Sequence, residues 1–299
     1  REPARAPSHV APAYGLISLG RAQTPPGDYE AARVTLERAL TLRSDALGPD
    51  NPLVAEPLHF LSEVLLRAGR DRDAFELALR AESIARNHLR LTARGAPERQ
   101  ALRYAAERMS GLDLALTIAA NLRDPAVSES GWDTLIRSRA VVLDEMATRH
   151  RLAGQGDASL SEAFVAYRTA AERLVNVLLR GPGGASVEQY QRKTAELRAA
   201  EEAAERRVAA ASESIRAALA ERELGLAEVA AALPDRTTLV AFARVGGDAR
   251  SGVTEASYVA FVLDAARSSP RVVSLGPARE IETAIRRWRG ELRSEAAAA

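Results

Sequence analysis

The chain has 299 residues, of which 41 are basic, 40 acidic and none cysteine, giving a formal net charge of +1. Acids and bases interleave, which argues against a nucleic-acid binder, where basic excess gathers on one face. The absence of cysteine excludes disulfides, Cys-ligated zinc and a thiolate nucleophile within these residues.

Hydrophobic residues make up 46% of the chain but aromatics only 4%, and alanine fills much of the apolar share. That composition favours close helix–helix packing over a bulky sheet core. Apolar runs are far too short for a membrane span. His9, His59, His88 and His150 are scattered and form no metal-ligand pattern. No metal, no cofactor, no nucleic-acid partner and no membrane are expected, and the location is expected to be cytoplasmic. Residues 1–11 read as a disordered segment or the remnant of a leader.

In chain order, the first organised stretch is "GDYEAARVTLERAL" from Gly27. A second, "GRDRDAFELALRAE", starts at Gly69, an offset of 69 − 27 = 42 residues. In that register Gly27 matches Gly69, Ala32 matches Ala74 and Ala39 matches Ala81. Each glycine follows a helical segment with a small residue seven positions earlier, Gly20 and Ser62. Two antiparallel helices pack closely when small residues face each other, and each glycine supplies the turn between them. The second unit departs at Asp71, and it carries Glu82 where the first has Leu40. These departures suit a terminal unit that packs onto something different. This pattern, over residues 12–92, resembles the tetratricopeptide repeat in a variant with an extended second helix. The resemblance implies a protein or peptide partner on the repeat surface.

Residues 93–224 read as a helical region. "ERQALRYAAERMSGLDLALTIAANL" has the spacing of one long helix. Asp124-Pro125 reads as a cap and first-turn pair for the next segment. Ser159 with Glu162 reads as a capping box opening a helix that runs to Arg180. "GPGGAS" then breaks the chain, and 187–222 reads as a long charged helix folding back as an antiparallel hairpin.

After Leu233-Pro234 the period changes. "TTLVAFARV", "ASYVAFVLD" and "RVVSLG" read as strands, the first two joined by a hairpin loop. "PAREIETAIRRWRGELRSE" reads as an amphipathic helix with Ile281, Ile285, Trp288 and Leu292 on its core face. The arginines of "RRWR" then form its solvated face, a simpler reading than an anion patch. An α/β unit thus begins near Gly225. Three strands and a helix cannot cover both faces of a sheet of this kind, so the unit reads as incomplete.

Taken in order, "AAALPDRTTLVAF", "YVAFVL" and "LGPAREIETAIRRWR", behind the helical segments, resemble bacterial proteins that join tetratricopeptide repeats to a CHAT domain, a caspase-like domain. The resemblance spans nearly the whole chain. It implies a mostly α fold of helical repeats and long helical hairpins, followed by the incomplete start of an α/β caspase-like domain at 225–299. Where active, such domains are cysteine peptidases with a His/Cys dyad. No histidine lies beyond His150 and there is no cysteine, so no catalytic residue is assigned. This chain is expected to be inert itself, either as the regulatory arm of a peptidase or as a non-catalytic interaction scaffold.

Overall fold

The computed structural model describes residues 11–25, 27–139, 141–153, 158–221, 224–246, 256–265 and 270–298. Helices α1 (Ala11–Gln23) and α2 (Tyr29–Leu47) form one antiparallel pair, and α3 (Ala55–Arg67) and α4 (Asp71–Gly95) form a second. Asp28 caps α2 by accepting from the Ala31 amide. Gly27 and Gly69 sit in the turns at φ 91° and 80°, a conformation that penalises any residue with a Cβ.

The small residues serve the close contacts expected of them. Ala32, Ala39, Ala74 and Ala81 are all fully buried. A Cβ on Gly20 would lie 2.6 Å from Leu36 Cγ. Its counterpart Ser62 donates its buried hydroxyl to the Ala74 carbonyl at 2.6 Å.

The long helix expected over 98–122 is instead two, α5 (Glu98–Glu107) and α6 (Leu112–Leu122). The break has a local cause. Arg108 turns extended, at φ −63° and ψ 140°. Its guanidinium meets both oxygens of buried Glu82, at 3.1 and 3.3 Å, and the Ser110 hydroxyl donates to Glu82 at 2.5 Å. Continuing the helix would forfeit a charge-assisted pair that Glu82, with no exposed surface, needs. Gly111 follows because its backbone lies against the Ala78 carbonyl, where a side chain has no room.

α6 and α7 (Pro125–Ser138) form a third antiparallel pair. Asp124 caps α7 by accepting from the Ala126 and Val127 amides, as the sequence implies. The turn residue is Arg123, held in the left-handed region at φ 50°. Five and twelve positions further on, where the first two pairs have alanines, stand Ser128 and Leu135, both buried.

A separate helix, α8 (Val141–Ala153), packs with α9 (Ala158–Arg180) against α4. α9 already includes Ser159 in its first turn, so the expected capping box there is not the helix start. The capping box lies at Ser186 and Gln189 instead, opening α10 (Val187–Ala211) with reciprocal bonds of 2.9 and 3.2 Å. α9 and α10 form the antiparallel hairpin expected. The return helix breaks at Ser212, before α11 (Glu213–Glu221).

The three strands are β1 (Thr238–Val245), β2 (Ser257–Asp264) and β3 (Arg271–Pro277), in an antiparallel sheet ordered β1-β2-β3. Most of the β1–β2 loop lies outside the described residues. Alternation splits the sheet into two faces. Ala243, Val245, Val259, Phe261 and Leu263 point inward, where they form one core with Leu116, Trp132 and Leu135 of the third pair and Leu226 of α12 (Leu226–Ala231). The opposite face leaves Phe242 58% exposed, with Val240, Val273 and Leu275 also open.

α13 (Ala278–Ala298) follows β3. Trp288 does not serve as its core residue: it is 58% exposed, and Ile285 is exposed too. The helix packs against β2 and β3, and its Glu282 meets Arg244 of β1 at 3.1 Å. The side chain of Leu292 lies outside the described residues.

Candidate functional site

The inner row of the stack is built from the first helix of each pair. α3 turns His59, Phe60 and Glu63 toward this surface, all half-buried. They arrive there because Leu58, Leu61, Val64 and Leu65 occupy the opposite side of the helix. Arg21 of α1 lies over the Phe60 ring at 4.6 Å, and the His59 and Phe60 rings meet edge-on at 5.4 Å. His59 Nε2 stands 3.6 Å from Glu63. Burial pushes the Asp113 carboxyl of α6 above the usual carboxylate range, although the nearby Arg244 guanidinium opposes this. The surface thus carries both signs of charge around one aromatic ring, and it runs on toward β1.

The outer side is closed by the chain itself. Arg149 of α8 donates to the carbonyls of Ala93, Arg94 and Ala96, and Arg168 of α9 to that of Gly95. Two cations thereby cap the carbonyl end of α4. Arg94 is buried against Glu201 and Glu205 of α10 and lies over the Tyr167 ring at 4.9 Å. These carboxylates hold its charge in place although burial opposes it. Asn51 donates to the Tyr190 hydroxyl at 2.9 Å, fixing α10 to the loop after α2. The downstream helices therefore cover the second-helix side, while among the described residues His59, Phe60 and Glu63 of the inner row stay partly exposed.

The histidines do not converge. His9 lies outside the described residues, and His150 is exposed on α8. Among the described residues no cluster of His, Asp or Glu is arranged to hold a metal ion. Arg286, Arg287 and Arg289 are exposed on α13, with Arg287 3.6 Å from Glu291. Among the described residues no helix is long and apolar enough to cross a membrane.

His88 was not singled out by its sequence context. It is 2% exposed on α4, its Nδ1 meets the Tyr104 hydroxyl of α5, and burial pushes its pKa down to about 4. Its partner lies 16 positions away across a helix break, so periodicity carries no signal for the pair. A cleft of about 410 Å³ lies next to it, lined by Gly95, Pro97, Gln100, Tyr104, Glu172 and Leu179.

No curated protein and no solved structure matches the chain. Residues 15–87, which run from α1 into α4, match the tetratricopeptide repeat family.

Proposed function

We propose that this chain is a protein-interaction scaffold whose inner repeat row, from α1 through α3 to α6, binds an extended peptide or helix of a partner protein. The observation that carries the reading is the repeat match over 15–87, combined with an inner row whose His59, Phe60 and Glu63 stay partly exposed among the described residues. Stacked helix pairs create such concave surfaces and commonly use them for binding. The alternating charges around Phe60 suit a peptide of mixed charge with an apolar anchor.

The test is selection of peptides from a random display library on the purified chain. Arg21→Glu and Glu63→Arg invert charge at partly exposed positions. Enriched peptides should bind the natural chain and lose about tenfold or more in each variant. No enrichment, or binding that both variants leave unchanged, overturns the reading.

A finer reading places the scaffold as the regulatory arm of a cytoplasmic repeat–CHAT protein resembling caspase-like cysteine peptidases. The uncovered sheet face and exposed Trp288 support it, because a larger α/β domain would lay another layer there. It predicts a His and a Cys on successive strands encoded further along the gene. Substitution of both leaves the non-catalytic scaffold.

A further inference from the structure

The α9–α10 hairpin carries a core of its own. Leu160 and Tyr167 of α9, Ala204 and Val208 of α10 and Ile215 of α11 form one buried apolar cluster. A unit with its own core can hold its shape without the repeats beside it.

The seam between hairpin and repeats is built differently. Arg94 of α4 is buried against Glu201 and Glu205 of α10. Arg168 of α9 donates to the Gly95 carbonyl at 3.3 Å, and Gln191 of α10 to the Asp45 carbonyl at 2.8 Å. An apolar contact holds the turn end of the hairpin, where Tyr190 packs with Ala46 and Leu47.

Keeping this seam closed is costly. The Nε–H groups of Arg94 and Arg168 are buried without an acceptor among the described residues, and an unmet buried donor gains when water reaches it. Burial pushes the Glu201 carboxyl above the usual carboxylate range, although Arg94 beside it opposes this. Taking both charges of such a pair out of water offsets most of their attraction. Clefts of about 410, 460 and 260 Å³ also lie along the seam, lined from one side by α4 or the end of α2 and from the other by α9 or α10. Packing there is looser than in a close-packed core.

We propose that α9, α10 and α11 form a strap that lifts off α2 and α4 as one folded body while the repeats keep their own fold. The Arg94–Glu201–Glu205 cluster is its catch. The docked strap covers the outer side of the second repeat helices, and the lifted strap presents that side to solvent. The strap lies away from the inner row, so the inference stands independently of the peptide-binding reading.

The test uses thiol labelling of the full chain, which has no cysteine of its own. Single variants place a cysteine at the seam, Leu178→Cys on α9 and Thr194→Cys on α10, both at buried positions that line its clefts. Val208→Cys reports on the hairpin core and Val64→Cys on the repeat core. In native buffer the two seam cysteines should react with dithionitrobenzoate at similar rates, about a hundredfold or more faster than the two core cysteines, because local opening precedes global unfolding. Adding Glu201→Gln weakens the catch and should speed both seam rates about tenfold, with both core rates unchanged. Thr194→Cys hardly changes side-chain size, so the comparison holds even where Leu178→Cys loosens the seam. Three results overturn the proposal: seam cysteines as slow as those of the cores; Val208→Cys as fast as the seam, which means that the hairpin unfolds instead of lifting; or Glu201→Gln leaving the seam rates unchanged or moving all four rates alike.

Discussion

The helix–helix contacts of the first two pairs and the helix–sheet contact of the third are built from opposite residue sizes. Pairs one and two place Ala32, Ala39, Ala74 and Ala81 at their contacts, with Gly20 and Ser62 opposite. The third pair places Leu116, Trp132 and Leu135 at its contacts with the sheet. The difference follows from the neighbour. A helix packed against another repeat helix can approach closely only if small residues stand between the backbones. A helix packed on a sheet meets inward side chains on a flatter surface, and large apolar groups must fill the space between. The Trp132 and Phe261 rings, 5.6 Å apart, are the centre of that filling.

Trp132→Ala should have the largest effect, about 3–5 kcal/mol, because it empties the joint between third pair and sheet. Urea unfolding followed by circular dichroism measures it. A loss below about 1 kcal/mol would mean the sheet is not held by this joint. Ser62→Val tests the small-residue side. It adds apolar bulk yet should destabilise by about 1–3 kcal/mol, since the Ala74 backbone is already at hydrogen-bond distance. A neutral or stabilised variant would show slack between α3 and α4. Phe242→Ser is the smallest expected change, within about 0.5 kcal/mol, because this ring is largely in solvent. A cost comparable to that of Trp132→Ala would show that both sheet faces are covered.

Much of this arrangement was legible in the sequence, and the reasons are local. The 42-residue offset, the turn glycines and the small residues exposed the first two pairs. Strong alternation of Val and Phe exposed the strands, and "GPGGAS" exposed the hairpin turn. The third pair stayed hidden for two reasons. Its turn residue is Arg123 rather than glycine, and its offset is 123 − 69 = 54, because α5 is interposed. The break at 108–111 was hidden because its cause, Glu82, lies 26 positions earlier than Arg108. Trp288 was misplaced because amphipathic spacing shows which side of a helix is apolar but not whether anything covers it. The His88–Tyr104 contact depends on α4 and α5 meeting across a helix break, which no periodicity encodes.

Chains built from like units face a counting problem: a segment that docks on one unit can dock on its neighbour. The Glu82–Arg108 pair makes the two repeats distinguishable to the segment that follows them. At the corresponding position the first repeat offers Leu40. Seating Arg108 there would bury a guanidinium without a counter-charge, at a cost of about 3–5 kcal/mol. That penalty corresponds to a preference of more than a hundredfold for the correct docking address. A single carboxylate therefore acts as a stop mark, telling the folding chain that the second repeat is the last and that what comes next must turn toward the sheet.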